Sequence, residues 1–170
     1  MIDDFTEVIS ALMVQHTSAF SKFGEQSKHS ITSSQPIPDA PESMFETVRT
    51  IWEKVFVGSS LSIDKGKLKM NDYDLGNISD GERSALYLLA KCMLDTTAQI
   101  IIIDEPESHL NSALINELWH LLEKEKPDQK FIYMTHSIEF AEFKDSSEKY
   151  WIKQFNYTDQ SWKIEKIDGD

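Results

Sequence analysis

The sequence predicts an α/β fold in which a short parallel sheet is flanked by helices and preceded by a mostly helical subdomain. Three observations predict it. Ile100 to Ile103 are four consecutive isoleucines leading into Asp104 and Glu105, a β-branched run too short for a membrane span and suited to a strand buried on both faces. A second apolar run, Phe131 to Met134, follows a segment of helical period, as in a strand–helix–strand unit. Two apolar stripes at helical spacing occupy the region before residue 57.

Composition bounds the rest. A chain of 170 residues is one domain or one large lobe. Asp3 and Asp4 stand where a signal peptide would be basic, and no apolar run approaches a bilayer span. The single Cys92 supports neither a disulfide framework nor a zinc site, so the expected compartment is a reducing cytoplasm. A net charge of −12 argues against a broad nucleic-acid footprint on this piece.

Taken in order, Ile2 to Phe23 carries Phe5, Val8, Ile9, Leu12, Met13, His16 and Phe20 on one helical face. His16 on that face is expected to be packed rather than a ligand, since no second ligand is near it. Gly24 to Pro41 is rich in Ser, Gln and Pro and reads as a loop. From Glu42 to Phe56 a second stripe, Met44, Phe45, Val48, Ile51, Trp52, Val55 and Phe56, follows Pro41 at a helix start. Leu61 to Met70 alternates around Asp64-Lys65-Gly66, a hairpin signal. Its Lys65, Lys67 and Lys69 fit an exposed strand face better than a phosphate-facing patch.

Ser79-Asp80-Gly81-Glu82 opens a helix over 81–95, in which Ser79 or Asp80 serves as cap and Glu82 completes a capping box. A glycine-containing turn at a helix N-terminus also suits an anion, although such a start is in most chains an ordinary cap. The isoleucine strand then ends in Asp104 and Glu105, at the sheet edge where open α/β folds bind ligands. A carboxylate there holds Mg²⁺ directly or through water, and its neighbour orients or deprotonates an attacking water. The plain alternative is a buried strand ending in a solvated acidic turn. A helix over 112–125 covers the sheet, Phe131 to Met134 ends in Thr135-His136-Ser137, and a strand over 150–155 with a terminal hairpin strand over 162–167 extends the sheet. His109 is assigned to a turn or interface and His120 to a helix surface.

These segments, in this order and spacing, resemble the motifs of ABC-type ATPases from about Gly76 to Phe140. Ile78 to Glu82 is similar to the signature motif, Ile100 to Glu105 to the Walker B strand with its catalytic glutamate, Ser108 to Asn111 to the D-loop, and His136 to the switch histidine. D-E-P-E-x-H-L and the later F-I-Y-M-T-H-S are also similar to bacterial stand-alone AAA-family ATPases of the overcoming-lysogenization-defect type. Those often carry a further C-terminal domain, either a Toprim nuclease or an uncharacterised domain, and many act in phage defence. The resemblance implies a partial P-loop NTPase fold, with a helical subdomain and hairpin over 1–75 and an ABC-type C-terminal lobe over 76–170. It implies ATP and Mg²⁺ as cofactors, Asp104 as metal ligand, Glu105 and His136 as catalytic residues, and Ser79, Asp80, Gly81 and Glu82 at the nucleotide across a homodimer interface.

One departure qualifies the match. No G-x-x-x-x-G-K-[ST] occurs in the sequence, so the phosphate-cradling loop of the N-terminal half is missing. The expectation is therefore a half-domain whose partner is the loop-bearing half and which is inactive alone. The alternative is a non-catalytic regulatory or dimerisation lobe that keeps the fold.

Overall fold

A computed structural model describes residues 4–108, 110–144 and 147–167. Helix α1, Phe5–Thr32, buries Val8, Ile9 and Leu12; its expected start at Ile2 lies outside the described residues. The loop expected from Gly24 onward is helical as far as Thr32. One glycine costs a helix only about 1 kcal/mol, and Glu25, Gln26 and Lys28 are good helix formers. Pro36 and Pro38 end the helical option instead, and the connection is confined to Ser33–Ser43. Helix α2, Met44–Val55, is started by Ser43, whose Oγ accepts the Glu46 N–H, rather than by Pro41. His16 is a packed histidine: its Nδ1 lies 2.8 Å from Ser43 Oγ, and its ring sits 4.6 Å from Phe20 and 5.1 Å from Phe45.

Strands β1, Leu61–Asp64, and β2, Lys67–Met70, pair antiparallel through Lys65 and Gly66, both in the left-handed region at φ 49° and 76°. That is the backbone of a two-residue I′ turn. A short third strand, β3, Tyr73–Asp74, pairs with β2. Leu61, Leu68 and Met70 enter the core, while Lys65 and Lys67 face solvent and Lys69 pairs with Asp64 at 3.2 Å.

Helix α3, Asp80–Leu94, leads to β4, Ile100–Asp104, then α4, Ser112–Glu125, and β5, Lys130–Met134. The two strands are parallel and in register from Ile100↔Lys130 to Asp104↔Met134. A six-residue helix α5, Ile138–Phe143, absent from the sequence expectation, follows β5. One hydrophobic cluster joins α1, α2, the hairpin, α3, β4 and α4, with Trp52, Leu86, Leu89, Trp119 and Leu122 fully buried.

The expectation that β4 is buried on both faces is not met. Ile103 is 5% exposed, but Ile100 is 53% and Ile102 61% exposed, and Ile132 and Met134 on the same face of β5 are each 47% exposed. Strand side chains alternate, so Ile101, Ile103, Phe131 and Tyr133 pack inward, with Trp119 of α4 5.3 Å from the Tyr133 ring. The opposite face is left about half exposed.

The last two strands do not extend the parallel sheet. β6, Lys149–Asn156, and β7, Ser161–Ile167, form a separate antiparallel ribbon with an irregularity between Ile152 and Gln154. The connecting turn is short, so each strand finds its nearest partner in the other.

Candidate functional site

The Ile100–Ile103 run builds a strand whose end throws two carboxylates into the open. Asp104 is exposed, and no hydrogen bond or ion pair among the described residues engages its carboxylate. Glu105 leaves the strand with φ 49°, a left-handed conformation costing a non-glycine residue roughly 1–2 kcal/mol. Its amide still donates to Met134 O at 2.7 Å, adding one rung beyond the ladder, while the Ser108 amide donates to Glu105 O at 3.0 Å and closes the turn. The Ser108 hydroxyl donates to Glu105 Oε2 at 3.0 Å and fixes the side chain. Beneath, the buried Pro106 offers its carbonyl to the Trp119 indole at 3.4 Å.

His136 follows the end of β5 and is exposed. Since adjacent strands lie about 4.8 Å apart, the register that sets Asp104 beside Met134 places Glu105 and His136 at the same edge of the sheet. The turn carrying His136 is held on both sides. The Thr135 hydroxyl donates to Glu107 Oε1 at 2.6 Å and accepts the Ser137 amide at 2.9 Å, and Ser137 Oγ caps α5 by accepting the Phe140 amide at 3.1 Å. The sequence reading gave Glu107 and Thr135 no role of their own. Their signal was polarity at a β-strand exit, which spacing alone does not distinguish from solvation.

At the start of α3 the capping box forms. Glu82 Oε2 accepts the Ser79 amide at 2.9 Å and the Ser79 hydroxyl at 2.7 Å, and the Glu82 amide donates to Ser79 Oγ at 3.3 Å. The Ser79 hydroxyl is thus committed to Glu82, and Asp80 and Glu82 already offset the helix dipole. The amides of Asp80 and Gly81 are left over by the cap. No hydrogen bond or ion pair among the described residues links Ser79–Glu82 to Asp104, Glu105 or His136, and only the strand-end residues share the β4–β5 register. His120 faces solvent, as expected, and His109 lies outside the described residues.

Among the described residues no group of three or more His, Cys, Asp or Glu is arranged to hold a metal. A Mg²⁺ site of one carboxylate completed by nucleotide phosphates needs no such group, and the unengaged Asp104 fits it. A shallow groove between α1 and the hairpin, lined by Ile9, Met13, Leu68 and Leu75, includes none of these residues. Among the described residues no helix is long and apolar enough to cross a membrane.

A parallel strand pair with helices packed on one face is the α/β architecture of an ABC-type fragment of a P-loop ATPase, and the comparisons bear this out. Residues 14–142 match the AAA_21 family, described as "AAA domain, putative AbiEii toxin, Type IV TA system", and the chain belongs to that family. No curated protein matches it. Among solved structures, a chain from a study of ATP-driven dimerization and DNA-stimulated activation of SMC ATPases aligns with a TM-score of 0.57 at 16% identity, over 74% of this chain and 83% of that one. The SMC head bound to the C-winged helix domain of ScpA aligns with a TM-score of 0.56 at 18% identity, over 73% of this chain and 42% of that one. At such identities the likeness is one of fold.

Proposed function

We propose that this chain is the lobe of an ATP-hydrolysing ABC-type ATPase domain that supplies the metal ligand, the water-activating carboxylate and the switch histidine. The observation that carries it is the placement of Asp104, the strained Glu105 and His136 at one edge of two parallel strands. Mg²⁺, bound with ATP, supplies the positive charge that offsets the developing charge on the γ-phosphoryl group. Asp104 would hold that cation directly or through water. Glu105, steadied by Ser108, orients or deprotonates the attacking water, and His136 donates to a γ-phosphate oxygen.

The phosphate-cradling loop comes from a partner lobe, and the exposed Ile100, Ile102, Ile132 and Met134 face is the surface that lobe covers. Ser79 and the Gly81 amide act on nucleotide held by a second copy. A relative in fold is described by its ATP-driven dimerization; a nucleotide-dependent homodimer is the assembly we propose here. The family description names a type IV toxin–antitoxin system, and the lysogenization-defect resemblance points to phage defence. We place the conformational work of the ATPase in a bacterial system of that kind, acting through a C-terminal effector domain or protein. The acidic chain gives no support for direct nucleic-acid contact.

A non-catalytic regulatory or dimerisation lobe is favoured by one observation, the commitment of the Ser79 hydroxyl to Glu82. ATP turnover decides between them. The 170-residue chain alone is expected to bind ATP weakly and not to hydrolyse it; joined to the loop-bearing lobe it should hydrolyse ATP, with Glu105→Gln lowering kcat by about 10²–10⁴-fold. Hydrolysis by the chain alone that Glu105→Gln abolishes overturns the half-domain reading, and no hydrolysis by the joined lobes supports the regulatory one.

A further inference from the structure

Glu107 is half-buried two residues beyond Glu105, and one of its oxygens, Oε2, is buried without a hydrogen-bond partner among the described residues. Its other oxygen accepts the Thr135 hydroxyl, and that hydroxyl accepts the Ser137 amide. The two residues bracketing His136 are therefore tied in series to the turn that holds Glu105, which is itself joined to β5 through the Glu105 amide and Met134 O.

We infer that Glu107 and Thr135 are positioning residues that lock the His136 turn to the Glu105 turn, so that the two catalytic side chains are placed as one unit. The inference rests on the ATPase reading for its effect on turnover, but the lock itself is a property of this chain. The Thr135 hydroxyl has one proton and gives it to a carboxylate. Its oxygen then faces the Ser137 N–H as acceptor, and this polarity fixes the backbone on either side of His136. A valine at 135 has nearly the same shape and can make neither bond. A serine can make both.

The test has two arms. In the 170-residue chain, amide exchange at Ser137 should accelerate roughly tenfold in Thr135→Val and stay within about twofold of the parent in Thr135→Ser. The His136 ring resonances should broaden or shift in Thr135→Val and Glu107→Ala but not in Thr135→Ser. Glu107→Gln, which keeps an acceptor for Thr135, should retain the Ser137 protection and covers the case in which Glu107→Ala does not fold. In the loop-joined ATPase, Thr135→Val and Glu107→Ala should lower kcat by about tenfold to a hundredfold with KM for ATP little changed, and Thr135→Ser should restore it. If Glu105→Gln abolishes turnover while Thr135→Val and Glu107→Ala leave kcat unchanged, the lock is overturned and the ATPase reading stands. If Glu105→Gln is without effect, the ATPase reading fails, and Ser137 exchange with the His136 resonances decides the lock. Unchanged exchange in Thr135→Val overturns it.

Discussion

Ile102 and Ile103 are the same residue type in the same strand, one position apart, with the same paired neighbour strand. Their intrinsic strand preference therefore cancels in a comparison, and only the face differs. Ile103 is 5% exposed within the core cluster and Ile102 is 61% exposed. Truncating Ile103 to alanine removes buried methyl groups and leaves a cavity, a loss of about 2–5 kcal/mol. Ile102→Ala removes a side chain that has lost only about two fifths of its surface to neighbours, worth about 1 kcal/mol at the usual burial coefficient. Urea unfolding of the isolated chain, followed by circular dichroism at constant m-value, measures both. The order should reverse on joining the loop-bearing lobe, where Ile102→Ala should weaken association while the Ile103→Ala penalty stays intramolecular. Equal destabilisation by the two substitutions in the isolated chain would refute the single-faced sheet, and undiminished association of Ile102→Ala would refute the assigned docking face.

Three further outcomes are expected. Ser79→Ala removes the acceptor for the Glu82 amide and one half of the capping box, and should cost about 0.5–2 kcal/mol by urea midpoint, with Ser79→Asp close to the parent. Gly66→Ala meets no atom within 4 Å but must hold φ 76°, so it should destabilise by about 1–2 kcal/mol through backbone conformation alone. Burial pushes the Cys92 thiol from 9.0 up to about 11, and burial followed by the Glu123 hydrogen bond raises Tyr133. Both groups are held neutral in the fold, so the stability they contribute is present below pH 9 and is lost as the unfolded chain ionises. A fall of about 2 kcal/mol in unfolding free energy between pH 9 and 11 is the expected size for Cys92. A flat profile there, or ready alkylation of native Cys92 at pH 8, would contradict its burial.

Local chemistry made much of this fold legible. Lys65-Gly66 dictates its own turn, Ser79 and Glu82 their own cap, and the two apolar strands their parallel pairing, because in each case the deciding forces act within a few residues or through one periodicity. Gly24 misled because a single glycine is weak against a long run of helix formers. The exposed face of β4 was illegible for another reason. Four isoleucines in a row specify a strand with apolar surface on both sides, but what covers the second side is a property of neighbours, and here Ile100 and Ile102 stay 53% and 61% exposed. The site followed the same division: Asp104, Glu105 and His136 were visible as strand exits, whereas the Glu107–Thr135 tie joins residues 28 apart and needs the strand register to be seen.

The most direct test of the proposed composite ATPase site uses two proteins, each expected to be inactive alone. In the loop-joined form, Glu105→Gln disables the carboxylate at the strand edge, and Ser79→Arg blocks the start of α3. If α3 serves the nucleotide of the opposite copy, a mixed dimer has one site carrying both lesions and one carrying neither. ATP hydrolysis should then appear on mixing, approaching half the parental rate per dimer for independent sites. Demonstrated heterodimers that hydrolyse no ATP, with nucleotide bound normally at the intact site, would contradict a signature acting across the interface.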